Sequence, residues 1–333
     1  MHNKLLVADN QAAILGGRNI GDDYFGRSSV RNFVDLDLLL SGGAVPVLSQ
    51  GFDSYWNSRW SYPVNQLLNI SLLPDDLRAL RKRIDERLAE REDLAPLLLA
   101  HDGAATFQRL KSGALIREWR VLVDDPDVGW FEKPDDLSDE LTDIAFMARR
   151  EVLIVSPYLV PGQKLLTLAQ ELSDAGIRIA AITNSLQTND VVVAQAAYSD
   201  RRDRILDAGV ELYEFRGAAK VPEKDGAEHI SLHPKYMLFD ESNVFLGSLN
   251  LDPRSLYLNT ELGVYLDSPE LAEQLRRHFA ALIHPDNAWR VRRQGADTVW
   301  ESSAGIERKP PARSRWQRFR QTLLKFLPLS GQV

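Results

Sequence analysis

Histidine, lysine and asparagine recur at fixed spacing in two parts of this chain. His2, Lys4 and Asp9 spell His-x-Lys-(x)4-Asp, and His233, Lys235 and Asp240 spell it again far along the sequence. Each copy is followed by a Gly-x-x-Asn element, Gly16-Gly17-Arg18-Asn19 and Gly247-Ser248-Leu249-Asn250. The interval from His2 to Asn19 equals that from His233 to Asn250. With average residue usage one such His-Lys-Asp pattern turns up in a chain this long roughly 2% of the time. A second copy with its asparagine in register therefore marks a duplicated unit whose two halves build one site.

These residue types suit a phosphoryl group. A phosphodiester carries charge on its non-bridging oxygens, and displacement at phosphorus spreads that charge further. Lys4 and Lys235 supply point charges, and Asn19 and Asn250 supply neutral donors. One histidine can attack phosphorus while the other protonates the departing alkoxide, after which a second nucleophile arrives on the phosphohistidine. Each imidazole needs a carboxylate on its other nitrogen. Candidates lie on the next strand of each half, Asp35 after the motif of His2 and Glu261 after that of His233. Local register favours Asp35 over Asp37. Asp9 and Asp240 fall beyond the strand ends and brace the loops, and Gly17 and Ser248 support the Gly-x-x-Asn elements.

Regular elements must hold these groups. Lys4 to Ala8 and Ala12 to Leu15 read as two short buried strands joined by a turn at Asp9 and Asn10. Residues two apart share a strand face, so His2 and Lys4 can point together at one ligand, as can His233 and Lys235. A third strand is expected over Phe33 to Leu40, and an aromatic-rich helix from Pro46 to Gln66 with Phe52, Tyr55, Trp56, Trp60 and Tyr62. The aromatic stretch suggests either helix packing or an acyl entrance. Charged helices follow at Pro74 to Arg91 and Pro96 to Leu110.

A strand over Arg117 to Val123 opens the second half. Helices at Ser138 to Arg149, Gly162 to Ala175 and Asp190 to Ala208 then alternate with strands at Val152 to Val155, Ile177 to Thr183 and Val210 to Tyr213. Motif strands at Tyr236 to Phe239, Val244 to Leu246 and Glu261 to Leu266 follow, and a helix over Pro269 to Ile283 closes the lobe. Such alternation predicts an α/β fold with a mixed, parallel-rich sheet. The expected parts are residues 1–114, the end of a first lobe with connecting helices; 115–305, a second lobe; and 306–333, a basic amphipathic tail.

At 333 residues the chain can bury two cores, and no run approaches the roughly 20 apolar residues that span a bilayer. It contains no cysteine, which excludes disulfides, thiolate metal sites and cysteine nucleophiles. A net charge of −7 weighs against a protein that tracks along nucleic acid. The C-terminus runs against that balance. Arg308, Lys309, Arg313, Arg315, Arg318, Arg320 and Lys325 interleave with Trp316, Phe319, Leu323, Leu324, Phe326 and Leu327, so an oily helical face adjoins a cationic one. Such a helix lies on an anionic membrane or packs on its own domain.

The paired motifs resemble the phospholipase D superfamily, in which two such elements meet across one active site. Met1-His2-Asn3-Lys4, Gly16 to Phe25, Tyr55 to Ser58, Ser156 to Tyr158, Thr183 to Ser185, Gly209 to Tyr213 and Gly247 to Ser255 look like bacterial cardiolipin synthases of the C type. The resemblance covers nearly the whole chain. It implies duplicated phospholipase D-like α-β-α lobes and phosphatidyl transfer. A phosphatidyl group moves to His2, His233 protonates the leaving alcohol, and phosphatidylglycerol attacks to give cardiolipin. It implies no metal or organic cofactor, and a peripheral enzyme on the cytoplasmic side of the inner membrane.

Against that pattern, the first motif begins at residue 2. The first lobe is therefore expected to be incomplete, its strands short of neighbours and His2 prone to fray, as in a fragment of a longer enzyme or one part of a split one. The alternatives are a phosphodiesterase hydrolysing lipid or nucleic acid, and a non-catalytic membrane-surface protein.

Overall fold

The computed structural model describes residues 1–68, 74–90, 113–127, 136–224 and 226–324. The helix expected at Pro96 to Leu110 and the tail beyond Leu324 lie outside the described residues. The chain divides into two compact units, one of Met1–Trp56 with Ile116–Val333 and one of Asn57–Leu115. The smaller unit contains helices over Val64–Leu68 and Pro74–Ala89, the latter braced by a Lys82–Glu86 ion pair one turn apart.

The first-motif segment of the larger unit has strands β1 (Leu5–Ala8), β2 (Ala12–Gly16), β3 (Arg31–Val34) and β4 (Asp37–Ser41), then helix α1 (Ala44–Trp56). Its second half has β5 (Glu118–Val123), β6 (Glu151–Val155), β7 (Arg178–Asn184) and β8 (Glu211–Phe215). There follow β9 (His229–Leu232), β10 (Tyr236–Phe239), β11 (Asn243–Gly247) and β12 (Leu262–Asp267), then a terminal meander of β13 (Ala288–Gln294), β14 (Asp297–Ser302) and β15 (Gly305–Glu307).

Ten of these strands form one mixed sheet, in the order β15-β14-β13-β8-β7-β6-β10-β11-β12-β5. The α/β class matches the sequence reading, but parallel pairing is confined within this sheet to β6–β7 and β7–β8. The other seven ladders are antiparallel. The reason is connection length: β10–β11 and β13–β14–β15 are joined by turns too short for a crossover helix. Helices Asp136–Phe146, Gln163–Asp174 and Val192–Asp207 contribute Leu141, Leu166 and Ile205 to the core on the face shared by Met237 and Phe239 of β10. Tyr236 is one residue out of phase and reaches the other side, where its hydroxyl meets the Leu275 carbonyl of helix Pro269–Leu282.

The first-motif strands repeat the second-motif hairpin at the same register. Leu5 pairs with Leu15 as Tyr236 pairs with Leu246, the same positions counted from each motif histidine. Their sheet is β1-β2-β4, and among the described residues β1 has no ladder on its other edge, where β10 has β6. Leu6 and Ile14, cross-strand partners on one face of this sheet, are exposed, whereas their counterparts Met237 and Phe245 are buried.

Besides the helix expected from Pro46 to Gln66, which ends at Trp56, two sequence expectations change here. The strand expected over Phe33 to Leu40 breaks at Asp35 and Leu36, because β3 pairs in parallel with β9 while β4 pairs with β2. The chain crosses from one sheet to another at that point, and the Asp35 carboxylate accepts from the freed Leu36 N–H at 2.9 Å. Secondly, His2, Lys4, His233 and Lys235 precede β1 and β10 rather than lying in them. The backbone N–H groups of the histidines are spent on bonds between the two halves.

Candidate active site

The parallel β3–β9 ladder ends at Val34 opposite Leu232, so the next residues, Asp35 and His233, emerge side by side. The His233 N–H donates to the Val34 carbonyl at 2.8 Å. Its Nδ1 then lies 2.7 Å from Asp35 Oδ2. The other histidine repeats the pattern with the halves exchanged. The His2 N–H donates to the Thr260 carbonyl at 2.9 Å, and His2 Nδ1 lies 2.9 Å from Glu261 Oε2. Asp35 and Glu261 occupy equivalent places, each just ahead of the residue, Asp37 or Gly263, that pairs with Gly16 or Gly247 of its own half.

Each carboxylate therefore serves the histidine of the opposite half. Pairing within each half, the sequence expectation, is corrected. The physical cause is the cross-half backbone pairing, which brings the end of each carboxylate-bearing segment against the other half's motif. His2 is consequently not frayed: a backbone bond and a carboxylate hold it.

Each lysine folds back on its motif. Lys4 Nζ donates to the His2 carbonyl and Lys235 Nζ to the His233 carbonyl, both at 2.7 Å. Lys235 Nζ also stands 3.2 and 3.3 Å from the two ring nitrogens of His233. Burial pushes both ammonium groups down to about 8, opposed by Glu261 and Asp35, and Lys4 further disfavours the charge on Lys235. Burial and the Lys235 charge also push His233 down to about 4, although Asp35 pulls the other way. Desolvation would raise Asp35 and Glu261, but their histidine bonds and nearby charge hold both below the usual carboxylate range. Cations disfavoured by burial in this way are ones that a neighbouring anion stabilises.

The supporting residues differ between the halves. Ser248 Oγ donates to Glu261 Oε2 at 2.5 Å, and Asp124 Oδ2 accepts the Glu261 N–H at 2.7 Å. At the equivalent place Gly17 packs so closely that a Cβ would stand 2.5 Å from Asp35 Oδ1 and 2.8 Å from the His233 carbonyl. Asn250 is buried and its Oδ1 has no partner, whereas Asn19 is exposed and its Nδ2 donates to the Tyr24 hydroxyl at 2.7 Å. Tyr24 stacks on Phe33, and both rings flank His233 at 5.2 and 5.1 Å.

Asp9 and Asp240 stand at the turns with φ of 51° and 54°. Asp240 accepts the N–H groups of Arg149, Arg150 and Glu151. Asp37 reaches no histidine and binds Arg18 Nε at 2.6 Å.

Several residues here had no role assigned from sequence. Asn184 clamps the approach to His233 by donating to the Leu232 carbonyl at 2.8 Å and accepting its N–H at 2.9 Å. Ser156 accepts the Leu251 N–H beside Asn250. The Tyr158 hydroxyl donates to Asp190, whose charge acts on His233 and Lys235. The signal for Ser156, Tyr158 and Asn184 was present only in the Ser156 to Tyr158 and Thr183 to Ser185 segments of the resemblance. Among the described residues no group of three or more His, Asp or Glu could hold a metal ion.

Cardiolipin synthase C of Escherichia coli K12 is 32% identical over 345 residues, covering 99% of this chain and 72% of that protein. The chain belongs to the phospholipase D superfamily. The family described as cardiolipin synthase, PLD-like domain, matches residues 142–283. An uncharacterised protein of Helicobacter pylori J99 is 31% identical across 98% of this chain, which spans 66% of that relative's length. In three dimensions the chain is similar to the phosphatidylserine synthase of Haemophilus influenzae Rd KW20, with a TM-score of 0.55 over 85% of this chain and 61% of that one. At 17% identity that likeness speaks for the phospholipase D-like fold alone.

Proposed function

We propose that this protein is a phosphatidyltransferase that makes cardiolipin from phosphatidylglycerol and a second phospholipid through a phosphohistidine. The observation that carries the reading is the pair of histidines, each held at Nδ1 by a carboxylate from the opposite half and accompanied by a lysine, half-buried at Lys4 and buried at Lys235. His2 is the nucleophile. Its side chain is 28% exposed against 6% for His233, and Glu261 holds Nδ1 so that Nε2 stays free for phosphorus. As the N–P bond forms, the P–O bond to the leaving alcohol breaks and His233 gives that oxygen its proton. The phosphatidylglycerol hydroxyl then returns a proton to His233 and attacks phosphorus, freeing His2. Lys4, Lys235, Asn19 and Asn250 hold the non-bridging oxygens. His233, held below its ordinary range by burial and Lys235, becomes an acid when the phosphodiester charge arrives beside it.

Peripheral attachment to anionic lipid on the cytoplasmic face of the inner membrane belongs to the same reading. No helix among the described residues is long and apolar enough to cross a membrane. In helix Arg315–Leu324, Trp316 and Phe319 stack with centroids 5.3 Å apart while remaining 64% and 56% exposed, next to Arg315 and Arg318.

The test is a trapping experiment with a phospholipid donor carrying p-nitrophenol as leaving group. Wild type and His233→Ala are expected to form a phosphatidyl adduct on the peptide containing His2, and His2→Ala none. An adduct on His233 alone would reverse the roles. Release of phosphatidic acid with no cardiolipin, phosphatidylglycerol being present, would make the protein a hydrolase.

A further inference from the structure

A cavity of about 370 Å³ has Arg31, Asp190, Gln195, Arg313, Trp316 and Gln317 in its lining. Its polar groups are incompletely matched. Gln195 is 1% exposed; its Oε1 accepts from Asn189 at 3.0 Å, and its Nε2 has no partner. Arg31 Nε is likewise buried without a partner. Among the described residues neither Arg31 nor Arg313 is ion-paired, although Arg313 donates to the Asn189 carbonyl at 3.1 Å. Burial and the neighbouring Arg31 charge push Arg313 below its ordinary range. The one carboxylate in the lining, Asp190, accepts the Tyr158 hydroxyl at 2.9 Å. Glu228 also acts on Arg313, from a side chain that is 72% exposed. Adjacent guanidinium groups and buried unpartnered N–H donors suit an anion.

We propose that this cavity binds the phosphodiester of the acceptor phospholipid through Arg31, Arg313 and the Gln195 amide. The assignment rests on the phosphatidyl-transfer reading. Asp190 joins the two places, since it lines the cavity and its charge reaches His233 and Lys235. Spacing agrees. Arg31 stands four residues before Asp35, about 13 Å along an extended strand. A glycerol headgroup spans about 6 Å from its free hydroxyl to phosphorus and an extended arginine side chain about 6 Å, lengths that together match this separation. An acceptor could thus hold its hydroxyl at the histidines and its own charge at the arginines.

The experiment compares soluble dihexanoyl phosphatidylglycerol with glycerol, which has no phosphate, as acceptors from one donor. In Arg31→Gln/Arg313→Gln the selectivity for phosphatidylglycerol over glycerol is expected to fall at least about tenfold, the scale of one charge-assisted hydrogen bond. The fall should appear in KM rather than kcat, and Arg31→Lys/Arg313→Lys should recover part of it. An unchanged ratio, with both acceptors slowed equally, would overturn the proposal. A second arm needs no turnover: the fluorescence that Trp316→Phe removes is followed as dihexanoyl phosphatidylglycerol or inorganic phosphate is added. Saturable binding of the lipid, lost in the double glutamine variant, supports the site even if the transfer reading fails. Undiminished binding in that variant, or equal affinity for inorganic phosphate, overturns the headgroup assignment.

Discussion

At the scale of single residues, the two halves share a plan and differ in support. Glu261 receives a serine hydroxyl, while Asp35 is pressed by a glycine that leaves no room for one. Gly17→Ser should therefore not reproduce the second half in the first: its Cβ would force Asp35 from His233. Activity is expected to fall about 10²-fold or more, against a few-fold for Ser248→Gly, measured as kcat on mixed vesicles. The two motif lysines set the pH response. Lys4 and Lys235 lose their protons near 8 in the free protein, so kcat/KM should decline above about pH 8. His233 takes up its proton near 4 when folded and near 6.5 when unfolded, so the unfolded chain binds more protons between those values. Its contribution to stability is full above about pH 6.5 and lost as pH falls toward 4. Urea titrations of wild type and His233→Gln across that window should diverge above pH 6.5 and converge near pH 4. A constant difference would show that His233 does not titrate as described.

At the scale of elements, position depends on backbone clamps. Asn184 satisfies both backbone groups of Leu232, one residue before His233. Asn184→Leu leaves a buried N–H and C=O unpaired and should cost about 2–4 kcal/mol by chemical denaturation. The Asp240 turn combines a positive φ with a carboxylate on three N–H groups. Asp240→Ala loses both advantages, and Asp240→Gly keeps the backbone one. The alanine variant is expected to melt below the glycine variant, and the reverse order would remove the strain argument. The alternating helices and strands from Ser138 to Val210 were legible because apolar strand runs and helical apolar spacing, as in Gln163–Asp174, are local patterns. β9 was missed, along with β13 to β15, since short polar strands such as His229–Leu232 become strands only through a partner. For β9 that partner is β3, which lies in the other half of the chain.

At the scale of the whole molecule, a basic, aromatic helix rides on a chain of net charge −7. Gln317 donates to the Leu186 carbonyl and Arg318 to that of Pro310, so this helix is packed on its own unit and still exposes Trp316 and Phe319. Trp316→Ala/Phe319→Ala should weaken sedimentation with phosphatidylglycerol vesicles about tenfold while leaving the melting temperature nearly unchanged; equal sedimentation would exclude the helix as an anchor. The sequence by itself picked out the candidate groups. Two His-x-Lys-(x)4-Asp elements with asparagines in register name a phosphoryl site and its superfamily, because residue type and spacing are local properties of the chain. Only the tertiary structure decided which carboxylate serves which histidine. That choice depends on β3 lying parallel to β9 and on His2 meeting Thr260, contacts between segments drawn from opposite halves of the chain. No local pattern records a pairing of that kind, and it is what turns two similar motifs into one interlocked site.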